Sequence, residues 1–257
     1  MLRALLALVL VTRALVAPAQ PAGEVIGVLT YHNHAPFITG DATGLTHELM
    51  ARLRAAAPAG LELELRPTPR ARLDVLLADW VQGRCASETA RCDDRWVLVW
   101  VNPRWGFGDS AMTRFQWLPL MEDANVVVSR RSRRVEYAGP ESLVGLRLGA
   151  IRGHRYVGVD PLVEAGRIER LDGERERSNL LMLLQGRIDV TVLPLSSVRH
   201  YLEHDPVMAS RGADIFVAER HHQDYVRYLM APPSRDDLRA MAARALAAEV
   251  DPPRASR

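Results

Sequence analysis

The stretch YHNHAPFITGDATGLTHELMARLRAA, residues 31 to 56, places several side chains capable of chemistry in a row. His32 and His34 flank Asn33, and a Pro-Phe pair, a polar turn with glycine and an amphipathic run follow. Such a histidine pair suits a metal site, an acid–base dyad or the lip of a binding pocket. The wider sequence narrows the choice. His47-Glu48 begins an H-E-x-x-H zinc helix, but residue 51 is alanine, so the second ligand is missing. His221-His222 is a neighbouring pair of the kind that loops usually leave solvated. No G-x-S-x-G elbow is present, and GAIRG (149 to 153) lacks the spacing of a dinucleotide-binding loop. All 33 basic residues are arginine, which rules out a P-loop lysine, a Schiff-base lysine and a lysine general base. Arg152, Gly153, His154 and Arg155 precede a helix pattern, so backbone N–H groups and arginine could hold an anion there. No metal and no cofactor is expected.

The amino terminus says where such chemistry would operate. Arg3, an apolar run from Ala4 to Val11 and Ala17-Pro18-Ala19 have the order of a secretory signal, with cleavage expected after residue 19. The run is too short for a bilayer core of about 30 Å, which takes roughly 20 apolar residues. The mature chain is therefore expected in the periplasm. Net charge is +2, and two arginines leave with the signal, so a clustered basic surface for nucleic acid is not expected. Cys85 and Cys92 are the only cysteines, and an even count in an exported protein suggests a disulfide closing a small loop.

The elements that must position these residues alternate between strand and helix patterns. EVIGVLT (24 to 30), LELELR (61 to 66), WVLVWV (96 to 101) and ANVVVS (124 to 129) read as strands. GLTHELMARLRAAA reads as an amphipathic helix, and Thr68-Pro69 as the cap and first residue of another that stops at Gly83. A second series follows: the strand LRLGAI, the helix in YVGVDPLVEAG, the strand RIERL, the helix SNLLMLLQGR, the strand DVTVLPL and the helix SSVRHYLEH. DIFVA and DYVRYLMA are late strands, and DDLRAMAARALAAEV closes the chain as a helix. The pattern predicts an α/β protein with a largely parallel sheet, built as two lobes.

The order of segments resembles the periplasmic solute-binding proteins of polar amino-acid ABC transporters (solute-binding protein family 3). APF (35 to 37) with TGLTHELMARL is similar to that family's opening loop and helix. ESLVGLRLGAIRGHRY resembles its entry into the second lobe, and NLLMLLQGRIDVTVLP its "G-r-v-D-a-v-v" segment. DYVRYLMAPPSRDDLRAMAARAL looks like its returning strand and closing helix. The resemblance implies a type II periplasmic binding protein fold with a ligand cleft between lobes. Lobe one would comprise 20–129 and 225–257, and lobe two 130–224, with crossings near Ser129 to Arg134 and His221 to Tyr225. It implies that Tyr31, His34, Asn102, Arg104, Trp105, Arg152, Gly153, His154 and Arg155 line the cleft. Asn102, Arg104 and Trp105 lie in NPRWGFGD, which stands where the family carries a carboxylate-gripping arginine, and Arg104 could fork onto a carboxylate. The expected role is capture of a small polar or anionic solute by a monomer that delivers it to a transporter permease, without catalysis. Where the family carries an aspartate for the ligand's ammonium, this chain has Pro194, which turns the expectation away from plain α-amino acids. A sensory module on the same fold, or a dehydratase-like enzyme using His34 and His154, are the competing expectations.

Overall fold

The computed structural model describes residues 23–84, 93–108 and 110–248. The signal segment and both cysteines lie outside the described residues. In chain order the elements are β1 (Glu24–Thr30), α1 (Leu45–Ala56), β2 (Leu61–Pro67), α2 (Arg70–Gln82), β3 (Trp96–Val101), α3 (Ala111–Arg114) and β4 (Gln116–Arg130). Then follow β5 (Arg147–Ile151), α4 (Asp160–Glu164), β6 (Glu169–Gly173), α5 (Glu176–Leu184), β7 (Val190–Pro194) and α6 (Leu195–His204). The chain continues with α7 (Pro206–Ser210), β8 (Ile215–Val217), β9 (Gln223–Ala231) and α8 (Asp236–Ala247). No helix among the described residues is long and apolar enough to cross a membrane.

One sheet runs through the whole molecule in the order β2-β1-β3-β9-β4-β7-β5-β6, with β8 beside β4. The expected parallel pairing holds within each lobe, at β1–β2, β1–β3, β5–β6 and β5–β7. The centre is antiparallel instead, because β9 returns between β3 and β4, and β4 also runs antiparallel to β7 and β8. Strand β4 is more than twice the expected length. Its first part, QWLPLME, carries Pro119 and Glu122 and shows no apolar alternation, yet β4 pairs with β9 from Gln116 to Asn125.

Four apolar clusters sit in two pairs across this sheet. In lobe one, Leu49, Met50 and Leu53 of α1 and Leu238 and Met241 of α8 cover one face. Leu73 and Leu77 of α2, with Phe115, cover the other. In lobe two, Leu180 and Leu183 of α5, Val198 of α6 and Met208 of α7 cover one face, and Val159 and Leu162 around α4 the other. Helix α1 shows why the pattern works: Leu49, Met50 and Leu53 recur at helical spacing and are all buried. Helix α2 departs from its expected cap. Thr68 bonds back to the carbonyl of Arg66, Pro69 takes the capping position, and Gly83 ends the helix at φ 63°.

Strand β4 exchanges partners at Asn125, pairing with β9 before it and with β7 from it onward. Ser129 to Arg134, the expected first crossing, therefore lies beyond the exchange: Ser129 pairs with Val190 and Phe216 of lobe two. The valine run 126–128 that reads as the end of the first lobe packs instead in the clusters of the second.

Candidate functional site

Segments from both lobes meet at this seam. Lobe one supplies the loop after β1 and the turn after β3, and lobe two the loop after β5 and the starts of α5 and α6. The loops follow the carboxyl ends of strands, the place where open α/β sheets bind ligands.

Arg227 of β9 lies between them and is only 1% exposed. A guanidinium taken so far from water requires partners for its donors. Nε donates to Asp123 Oδ2 at 2.9 Å and Nη2 to the Tyr225 hydroxyl at 3.0 Å. Nη1 donates to the carbonyl of Trp100 at 3.3 Å and to His32 Nε2 at 3.4 Å. Its central carbon lies 4.6 Å from the ring centre of Phe37, 5.2 Å from Tyr225 and 5.3 Å from Trp105, distances at which aromatic rings attract a cation.

The strand that presents the Trp100 carbonyl is bulged. Along β3, Trp96 and Leu98 pack on one face and Val97 and Val99 on the other, but Trp100 joins the face of Val99. Trp100 has φ 69°, and the register with β9 shifts there. A bulky residue rarely adopts such a backbone, and bulges of this kind re-aim groups next to sites. Its indole donates to Thr46 Oγ1 at 3.0 Å, which fixes the residue against the start of α1.

Asp123 connects this centre to lobe two. Its Oδ1 accepts from the backbone N–H of Ser196 at 3.1 Å, and its Oδ2 from the Ser196 hydroxyl at 2.8 Å. Ser196 is in the first turn of α6, whose N-cap is Pro194 without a capping side chain. A carboxylate from β4 thus satisfies a helix-end donor that Pro194 cannot reach.

A second connection runs through the histidines. Arginine only donates, so His32 Nε2 must accept and its proton must sit on Nδ1. His32 Nδ1 then donates to His34 Nε2 at 3.3 Å. That leaves the proton of His34 on Nδ1, aimed at the carbonyl of Ala35 at 3.0 Å and at Glu176 Oε1 at 3.3 Å. Burial holds the pKa of His32 well below the ordinary imidazole value, with the positive charge of Arg227 adding, so its neutral form is the stable one. Glu176 itself is buried at the first turn of α5 in lobe two. The chain Arg227–His32–His34–Glu176 therefore spans the seam, and beside it the Ser197 hydroxyl donates to the Ala35 carbonyl at 2.9 Å. Among the described residues no group of three or more His, Cys, Asp or Glu side chains could share a metal ion.

The residues selected from sequence have mixed placements. His34 and Trp105 belong to this centre. His154 faces it electrostatically: desolvation lowers its pKa although its surface is exposed, while Glu176 pulls the pKa back up. Tyr31 packs toward α2 under the guanidinium of Arg70, and burial raises its phenol. Asn102 is spent on shape, donating to the carbonyl of Val226 and accepting from the N–H of Arg104. The side chains of Arg104, Arg152 and Arg155 are exposed, as is Gly153. The loop after β5 uses two of its own N–H groups, Arg152 to Gly173 and His154 to Ile151, and α4 begins only at Asp160. Helix α4 thus starts beyond Arg155, and the N–H groups of residues 152–155 belong to a loop. The sequence pattern does not single out Asp123, Glu176, Tyr225 or Arg227. The signal for Arg227 is its place in β9, two residues from Tyr225 and two from the buried Leu229. That for Glu176 is the buried stripe Glu176, Asn179, Leu180, Leu183, Leu184, which reaches back to the first turn of α5.

No protein-family model matches the chain, and no curated protein matches it. Solved structures do. The chain is similar to holo ArgBP from T. maritima, at TM-score 0.58 and 15% identity over 90% of this chain and 92% of that one. It is similar to the amino acid ABC transporter substrate-binding protein AbpA from Streptococcus pneumoniae, at TM-score 0.57 and 16% identity over 88% of each. It is also similar to ArtJ from Geobacillus stearothermophilus, at TM-score 0.57 and 18% identity over 88% of this chain and 89% of that one. At these identities the likeness concerns the backbone, and the chain has the two-lobed α/β fold of the substrate-binding proteins of amino acid ABC transporters.

Proposed function

We propose that this chain is a periplasmic solute-binding protein that captures a small polar or anionic solute and delivers it to an ABC transporter. The observation that carries the reading is the seam itself, where Glu176 of lobe two meets His34 of lobe one at 3.3 Å beside strand ends from both lobes. A cleft of this kind closes on a solute that makes more contacts in the closed form than in the open one. The division into lobes at residues 20–129 with 225–257, and 130–224, belongs to the same proposal, with the exchange at Asn125 supporting a boundary slightly earlier in β4.

AbpA was solved with L-arginine, and ArtJ is named for arginine, lysine and histidine. This chain differs in its charges. Exposed Arg104, Arg152 and Arg155 offer donors to an anion, and Pro194 stands where the resemblance places an ammonium-binding aspartate. Glu176 is a carboxylate that the sequence did not reveal, but His34 already donates to it. Against an enzyme, both nitrogens of His34 are engaged, one by His32 and one by Glu176 and Ala35, which leaves it poorly placed to move a substrate proton.

A thermal-shift screen of organic acids, neutral polar molecules and amino acids tests the proposal. A solute at about 100 times its dissociation constant stabilises by about 2.7 kcal/mol, a rise of roughly 5–10 °C for a domain this size. Organic acids or neutral polar solutes are expected to give it. Stabilisation by an α-amino acid and not by its deaminated acid overturns the solute class. No shift with any small molecule overturns the solute-binding reading itself.

A further inference from the structure

We propose that Arg227 is a built-in ligand: its guanidinium fills a cation box inside the cleft, so the protein rejects guanidinium solutes and needs none to hold the box together. The inference rests on the reading of the seam as a solute cleft. It starts from the saturation of the group. Arg227 donates from Nε, Nη1 and Nη2 to a carboxylate, a carbonyl, an imidazole and a hydroxyl, and lies within 5.3 Å of three ring centres. A carboxylate, neutral acceptors and aromatic faces are the recognition chemistry for a planar cation. Here the cation arrives on the chain.

Arg227 and Asp123 both lie in lobe one, but their contacts continue beyond it: Asp123 reaches Ser196 of α6, and His32 leads through His34 to Glu176 of α5. The occupied box thus joins lobe one to the starts of two helices in lobe two, as a bound solute would. A second guanidinium brought by a solute meets rings already covered and a carboxylate already shared by Arg227, Ser196 and Tyr225. Arg227 therefore sets specificity by exclusion, and the donors left for a solute are the exposed arginines of the two loops.

Removing the side chain should reopen the site. In Arg227→Ala, methylguanidinium or L-arginine at millimolar concentration is expected to raise the melting temperature by several degrees, while urea, of similar shape and no charge, does not. The wild-type protein should show no shift with either cation. Asp123→Asn combined with Arg227→Ala lacks the acid and should lose the rescue. A wild-type shift with L-arginine, or an Arg227→Ala protein that folds and ignores both cations, overturns the proposal. If Arg227→Ala does not fold, nitrogen-15 NMR of the wild type decides through the Arg227 Nε–H signal. It should exchange slowly and stay in place as L-arginine is added; fast exchange or a titrating shift overturns the proposal. Failure of the solute screen with a successful rescue would remove the transport reading and leave the box.

Discussion

At the scale of single residues, the centre depends on His32 being neutral. His32 accepts from Arg227 through Nε2, so a proton arriving there would set two donors against each other. Its pKa is lowered well below the ordinary value by burial first and by Arg227 second. His154, His200 and His222 are lowered as well, each chiefly by desolvation. The unfolded chain takes up these protons near pH 6.5, while the folded protein resists until lower pH. Between those values the unfolded state binds more protons, so stability present above pH 6.5 is lost as the pH falls. The melting temperature is expected to drop from pH 7 to pH 5, and less steeply in His32→Gln, which keeps a donor and an acceptor without titrating. An equally steep drop in that variant would place the pH dependence elsewhere. Little of this centre was legible beforehand. His34 stood out by type after a strand and Trp105 through the family resemblance, whereas Glu176 lies in the run ERER, which reads as a solvated face. Arg227 was hidden differently: one arginine inside DYVRYLMA looks like the polar phase of an alternating strand.

Elements were easier to see than their partners. The apolar run WVLVWV is buried at every position, and helix periodicity placed α1, α5 and α8 correctly because a helix carries its own hydrogen bonds. Strand β4 escaped in its first half, since Gln116 to Asp123 is held by β9, more than a hundred residues later, and not by any local pattern. One polar residue does fix an element junction. Asp189, just before β7, accepts from the backbone N–H and the guanidinium of Arg147 at the start of β5, and from Arg133 after β4 at 2.6 Å. Those bonds, Arg147's side chain foremost, hold its carboxyl at about 2. One pKa unit corresponds to about 1.4 kcal/mol, so the carboxylate contributes about 2 kcal/mol after allowance for the exposed arginines. The contribution is complete above the unfolded carboxyl value and disappears as pH falls through about 2. Asp189→Asn should lower stability by about 2 kcal/mol in urea at pH 7, with the deficit shrinking toward pH 2. A deficit that stays constant with pH would mean that shape, and not charge, holds the junction.

For the whole molecule, the question is what sets the angle between lobes that share one sheet. The chain crosses the seam in β4 and on entering β9, and β4 pairs with β9 up to Asn125 and with β7 from there onward. Strands alone permit twist and bend, so side-chain bonds across the seam must choose among the angles they allow. Three such contacts are present among the described residues. Asp123 to Ser196 lies at the crossing itself, while His34 to Glu176 and Ser197 to Ala35 tie the loop after β1 to lobe two. The last two are the ones that opening would break, because they join parts remote in the chain, whereas Asp123 stands within the strand where bending is centred. Each bond is worth about 1 kcal/mol net, so losing both shifts the ratio of closed to open forms by roughly 30-fold. Glu176→Ala with Ser197→Ala is therefore expected to increase the radius of gyration in small-angle scattering without solute, and to leave the melting curve cooperative. Asp123 and Arg227 remain in that variant, so the aromatic box stays filled and lobe one keeps its core. An unchanged scattering profile would show that the shared strands, with Asp123 on Ser196, fix the angle without the two outer contacts, and that solute capture must proceed without a hinge.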